Sequence, residues 1–103
     1  MANKKEKLVQ QDNSEMQMIE AGNDAEKLLQ DKVFSQTING LVEATWQSFA
    51  ASAPDETAVR ERTYAHYRAL VDVIHTLQQR VNVRDEILAK NDNEAANDNS
   101  GDE

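Results

Sequence analysis

The sequence predicts an all-α protein, an antiparallel helical hairpin with a short preceding helix and disordered termini. Helix breakers are rare, with three glycines and one proline in 103 residues. No segment alternates apolar and polar residues in the way a half-buried strand does. From about 32 to 52, and again from about 55 to 90, apolar residues recur every three or four positions, the spacing of one helix face. These observations together predict two long helices joined at a turn.

A short helix is expected before the hairpin, over about 24–30. Gly22, Asn23 and Asp24 are typical of a loop that leads into a helix, with Asn23 or Asp24 as its N-cap. Asp31 is expected to cap the next helix, because its carboxylate can accept a free amide N–H of the first turn.

Pro54 marks the turn of the hairpin. Proline lacks an amide donor and restricts the residue before it, here Ala53, so the first hairpin helix is expected to end by about 52. The second helix should cover about 55–90, and from Tyr67 its apolar residues follow the heptad spacing of a coiled coil until Arg84 interrupts it. The aromatic residues are expected to cluster near the turn; they are Trp46, Phe49, Tyr64 and Tyr67.

Both ends of the chain are predicted to be disordered, over 1–23 and 91–103. The last segment has five acids, no base and no apolar residue larger than alanine, so it cannot offset its ordering entropy. It carries −5 of the net charge of −8, which leaves the predicted hairpin, 24–90, close to neutral. Because domains that bind the phosphates of nucleic acids are usually basic, a near-neutral hairpin argues against such a domain.

The sequence predicts no catalytic, cofactor or metal site and no small-molecule substrate. The absence of cysteine excludes disulfides and thiolate chemistry. His66 and His75 lie nine positions apart and cannot share a metal ion from one helix. No catalytic motif is present, and the arginines of the second helix are interleaved with acids, so no nucleic-acid site is expected. No apolar run reaches the length of a membrane span, and we expect a soluble chain without a signal sequence.

The predicted helix lengths point to a protein partner. The first hairpin helix, at about 1.5 Å per residue, would cover the second only to about residue 76. A two-helix unit of this size also rarely buries enough surface to be stable alone. We therefore expect a homo-oligomer or a complex with another protein. Trp46, Phe49 and Tyr67 would anchor the hairpin, and Leu77, Val81 and Leu88 would offer further contact surface.

Several segments resemble short helical-hairpin proteins encoded in the structural or packaging gene blocks of tailed bacteriophages and prophages. The resemblance covers about 24–80. It is carried by Leu28 to Phe34, Leu41 to Trp46, Asp55, Arg60-Glu61-Arg62, Tyr64, Leu70 and Leu77. The sequence departs from the pattern at Lys32, where a proline is expected, and in its acidic tail. The resemblance implies an assembly-related or virion-associated role and no catalytic residues.

The first functional hypothesis is a non-enzymatic accessory protein of phage assembly that binds protein through apolar helix faces. It would work in the cytoplasm of an infected cell or within the virion. One alternative is a small DNA-packaging protein that forms a ring, similar to a terminase small subunit, which would need a basic face on the assembled ring. Another is an acidic inhibitor of a host nucleic-acid enzyme, which would need ordered acids on one face.

Overall fold

A computed structural model describes the backbone of residues 2–101 and the side chains of residues 13–96. The chain forms three helices: α1 (Ala2–Gln30), α2 (Lys32–Ala51) and α3 (Thr57–Gly101). No strand occurs over the described backbone. The all-α class predicted from the sequence is therefore confirmed.

The helices divide into two compact units. Unit 1 combines α1 up to Glu26 with α3 from Gln78 onward, and unit 2 is the continuous segment Lys27–Leu77. Unit 2 contains all of α2, the turn and the first part of α3, so it corresponds to the centre of the predicted hairpin.

Asp31 separates α1 from α2 and caps α2, as the sequence predicted. Its backbone is extended, with ψ of 125°, and its side chain accepts a hydrogen bond of 2.8 Å from the amide of Phe34. This contact satisfies one of the amides that the first turn of a helix leaves without an intrahelical partner. The Ser35 hydroxyl donates to the carbonyl of Leu29 and further ties the two helix ends together.

The turn between α2 and α3 is fixed by local hydrogen bonds around Pro54. At the end of α2, the Ser52 amide and hydroxyl both donate to the carbonyl of Phe49. The Glu56 side chain accepts from the amide of Ala53, and the Glu56 amide donates to the Ala53 carbonyl. These two bonds close a four-residue turn from Ala53 to Glu56 before α3 begins, and Pro54 stands at its second position, which proline favours. The predicted break at Pro54 is confirmed.

Within unit 2, residues of α2 near the turn contact residues of α3 that are also near the turn. The guanidinium of Arg60 lies over the ring of Phe49, whereas Leu41, farther from the turn on α2, shares a groove with Leu70 of α3. These contacts join α2 to the first part of α3.

The start of the first helix differs from the prediction. The expected loop at Gly22, Asn23 and Asp24 is wrong, because all three residues lie inside α1, and the helix is already formed where 1–23 was expected to be disordered. The reason is a tertiary contact of Gly22. A Cβ atom at this position would meet Cβ of Arg84 and lie 2.8 Å from the carbonyl oxygen of Arg80. Glycine is therefore used here for close helix packing and not to form a loop.

The end of the last helix also differs from the prediction. The sequence predicted that α3 would end near 90 and that 91–103 would be disordered, whereas α3 reaches Gly101. No glycine or proline occurs between Pro54 and Gly101, so nothing in the backbone chemistry interrupts the helix before that point. Asp102 and Glu103, at the end of the predicted tail, lie outside the described residues.

The described residues form a small core. Among the side chains of residues 13–96, two apolar ones are buried, Ala25 in unit 1 and Leu77 in unit 2. Ten large hydrophobic side chains in the same part of the chain are exposed; they are Met16, Met18, Leu28, Val33, Leu41, Trp46, Val59, Tyr64, Val73 and Leu88. Single exposed apolar residues are ordinary on protein surfaces, but this excess over the buried set points to surfaces that another chain covers.

Candidate protein interaction surfaces

Trp46 is the centre of an exposed aromatic surface on unit 2. Its side chain is 59% exposed. Its ring stacks on that of Phe49, with centroids 6.0 Å apart and an interplanar angle of 20°. On the other helix, the guanidinium carbon of Arg60 lies 4.6 Å from the centroid of Phe49. We call Trp46, Phe49 and Arg60 the Trp46 surface. Tryptophan and arginine are the residues that most often dominate the energy of protein interfaces.

The predicted aromatic cluster is therefore present in part. Trp46 and Phe49 form the ring pair found among the described side chains, and Phe49 is half-buried. Tyr67 is also half-buried, whereas Tyr64 is exposed. Phe49 and Tyr67 thus contribute to packing within the unit, while Trp46 and Tyr64 present their rings to the outside.

A second surface of unit 2 is an open groove of about 300 Å³ between α2 and α3. We call it the Leu41 groove; it is lined by Leu41, Thr45, His66, Ala69 and Leu70. The hydroxyl of Thr45 donates to the carbonyl of Val42 at 2.8 Å, so its hydrogen-bonding capacity is already used within the helix. The lining therefore contains one titratable side chain, His66, and is otherwise apolar. This groove could not be predicted from the periodicity of either helix, because it depends on the packing of two helices.

The three predicted contact residues on the later part of α3 have different environments. Leu77 is buried within the chain, so it does not offer the free surface that was expected, whereas Val81 is half-buried and its role in protein contact stays a prediction. The first hairpin helix was expected to cover α3 only to about residue 76, but unit 1 also pairs α1 with α3 from Gln78 onward, and Val81 lies in that segment. Leu88 remains exposed, as expected.

Unit 1 is organised around Arg84, a residue that interrupts the heptad pattern of the sequence. The guanidinium donates to Glu26 at 2.5 Å and to Asn23 at 2.9 Å on α1, and to Asp85 beside it at 3.0 Å. The hydrogen bonds to Glu26 and then to Asp85 raise the pKa of Arg84, against a smaller opposing effect of desolvation. The sequence signal that was missed is an arginine at a heptad core position. Its counterpart on α1 is a glycine, Gly22, close to two hydrogen-bond acceptors, Asn23 and Glu26.

The two units differ in charge. The segments of unit 1, 1–26 and 78–103, contain six basic and thirteen acidic residues, a net charge of −7. Unit 2, 27–77, contains five basic and six acidic residues, a net charge of −1. Electrostatic repulsion therefore opposes contact between two copies of unit 1, whereas two copies of unit 2 would repel each other only weakly.

No three His, Asp or Glu side chains among the described residues lie close enough together to hold a metal ion. None of the described helices is both long and apolar enough to span a membrane.

Comparisons with known proteins give no relative. The chain matches no protein-family model, and no curated protein or solved structure matches it significantly.

Proposed function

We propose that this chain is a non-enzymatic protein–protein interaction module that acts through the apolar helix faces of unit 2. The observation that supports the proposal best is that few apolar side chains are buried while many are exposed. Ala25 and Leu77 are the buried apolar side chains of the described part, whereas ten large hydrophobic side chains of that part are exposed. A chain with this distribution gains most of its remaining hydrophobic stabilisation, about 25 cal/mol for each Å² of apolar surface covered, by binding another chain.

The Trp46 surface has the chemistry of an interface anchor. Trp46 is held by its stacking on Phe49, so little side-chain freedom is lost when a partner covers it. Arg60 lies against the same ring, and no carboxylate lies within salt-bridge distance of its guanidinium among the described residues. A partner that brings an acid next to an apolar side chain would satisfy both groups.

For the biological setting, we propose virion assembly, either in the cytoplasm of an infected cell or within the virion. The support for this setting is the resemblance of the sequence to hairpin proteins of phage structural and packaging genes. The acidic inhibitor stays an alternative hypothesis, and the DNA-packaging ring has less support. Arg68 and Arg84 are both ion-paired to acids of the same chain, which reduces the charge that either could offer to DNA.

Site-specific photo-crosslinking tests the proposal. A photoreactive amino acid is introduced at Leu41 or at Trp46 of the full chain, in the cells that normally make it, and adducts are identified by mass. The matched control is Glu43, which is exposed on the same helix but is not apolar. We expect protein adducts from Leu41 or Trp46 and few from Glu43. The absence of adducts from both apolar positions would overturn the proposal.

A further inference from the structure

We propose that the Leu41 groove is the docking site of a second copy of this chain, so that two copies form a two-fold dimer through unit 2. The inference rests on the proposed function and names one partner for it. Four features of the described residues support it: the chemistry of the groove, its shape, the distribution of charge and the available area.

The chemistry of the groove requires an apolar occupant. Leu41, Ala69 and Leu70 present only hydrocarbon, and the hydroxyl of Thr45 is already bonded to the carbonyl of Val42. Apart from the His66 imidazole, these walls offer a polar occupant no hydrogen-bond partner, so each of its other polar groups would lose its bonds to water at a cost of about 1–3 kcal/mol in protein mutational data. The groove therefore selects for aliphatic or aromatic side chains.

The shape of the surface is self-complementary. A two-fold interface uses the same patch on both copies, so the patch must contain both a projecting side chain and a recess that accepts it. Leu41 is the projecting side chain, because it is 47% exposed. The small side chains of Ala69 and Thr45 line the recess beside it. Leu41 of each copy can therefore enter the groove of the other.

The charge distribution selects unit 2 for contact between identical chains. Two copies of unit 1 would bring net charges of −7 together, whereas two copies of unit 2 bring together only −1 each. None of the five residues that line the groove is an acid, a lysine or an arginine. The groove is thus the apolar surface where a second copy meets the least electrostatic repulsion.

The available area is sufficient for a specific dimer. A 20-residue α2 is about 30 Å long, and two helices side by side are roughly 20 Å wide, so one face of the hairpin offers about 600 Å². Two such faces give about 1,200 Å² in total, the lower end of stable specific interfaces. The proposed dimer is therefore of moderate affinity and exchanges its subunits.

The dimer leaves the Trp46 surface free. Leu41 and Trp46 are five residues apart on α2 and point about 140° apart around its axis, at 100° per residue. A copy seated in the groove does not cover Trp46, which remains available to a different protein.

Sedimentation equilibrium of the full chain tests the proposal, with Leu41→Asp as the disrupting variant. Each dimer would bury two new carboxylates in an apolar recess, so we expect the dimer dissociation constant to rise roughly 100-fold or more. The matched control is Val33→Asp, which introduces the same charge on the same helix at an even more exposed position, 72%, that does not line the groove. Its dissociation constant should stay close to that of the wild type.

A second variant guards against misfolding. Ala69→Gln fills the groove with a neutral, helix-favouring side chain, so it should keep the far-UV circular dichroism spectrum and still weaken the dimer. A wild type that stays monomeric, or forms a larger oligomer, overturns the proposed dimer. Equal dimerisation of wild type, Leu41→Asp and Ala69→Gln shows that the groove is not the interface. Neither result contradicts the proposed function, which fails only if crosslinking from Leu41 and from Trp46 yields no protein adduct.

Discussion

Gly22 of α1 lies directly against the aliphatic part of the Arg84 side chain of α3, and only a residue without a side chain fits there. A Cβ atom on Gly22 would collide with Cβ of Arg84 and come within 3.1 Å of its Cδ. Because the glycine lets the helices approach, the guanidinium can reach past it to Asn23 and Glu26. Two residues that interrupt the helical patterns of the sequence are thus partners in the fold.

Gly22→Ala is expected to destabilise the chain. The added methyl group would force the helices apart, and overpacking of this kind costs about 1–3 kcal/mol. The better helix propensity of alanine returns up to about 1 kcal/mol, so the free energy of unfolding should fall by roughly 1–2 kcal/mol. Urea unfolding followed by far-UV circular dichroism, at one protein concentration, measures this change.

Gly40→Ala is the matched control, because Gly40 also lies mid-helix but a Cβ atom there would meet nothing within 4 Å. The same substitution should therefore raise the free energy of unfolding, by about 0.5–1 kcal/mol. Equal effects of the two substitutions would show that the close approach at Gly22 is not important for stability.

Arg84 is expected to stabilise unit 1 more through its stem than through its charge. The side chain of Arg84 is 11% exposed, but Glu26 and Asp85 are 43% and 58% exposed, so both acids can be hydrated if the guanidinium is removed. Arg84→Met keeps a long stem over Gly22, whereas Arg84→Ala loses it. The urea midpoint of Arg84→Met should therefore lie between those of the wild type and Arg84→Ala.

Arg68→Met serves as the control for loss of an arginine, because the Arg68–Asp72 pair is more than half exposed and should contribute little. Since the pKa of Arg84 is raised in the folded state, the stability linked to its ionisation is present at all lower pH values and is lost only at strongly alkaline pH. A Met variant no more stable than the Ala variant would assign the effect to the guanidinium instead.

The sequence predicted the elements that depend on local signals. Asp31 and Pro54 bound α2 as expected, because a cap and a missing amide act within a few residues. The pairing of α1 with the later part of α3 could not be predicted from periodicity. It depends on a glycine and an arginine, Gly22 and Arg84, which disturb an apolar pattern when each helix is considered alone. The Leu41 groove was missed for a similar reason, since its two walls come from different helices.

Lys32→Pro is expected to be tolerated or stabilising, although it places a proline in a helix. Lys32 is the first residue of α2, a position where proline is favoured because the amide has no helical partner. Asp31 already has φ of −67° and ψ of 125°, the extended conformation that a residue before proline prefers. The free energy of unfolding should rise by up to about 1 kcal/mol through the lower entropy of the unfolded chain.

Asp31→Ala provides the opposite test at the same helix start. It removes the hydrogen bond to the amide of Phe34 and should lower stability by about 1 kcal/mol, the usual effect of losing an N-cap. Urea unfolding of both variants compares the two effects. A loss of stability in Lys32→Pro would mean that the start of α2 differs from the one described.

Trp46 is the sole tryptophan, so its fluorescence reports on the surface around it. Because the ring is more than half exposed, we expect a red-shifted emission and efficient quenching by iodide in the isolated protein. Dimerisation through the Leu41 groove should leave both properties unchanged over a dilution series, since the two side chains point away from each other. A blue shift with increasing protein concentration would instead place the Trp46 surface in the self-association interface.

Phe49→Leu is the control for the stacked ring, because it retains the apolar support of Trp46 and removes the aromatic contact.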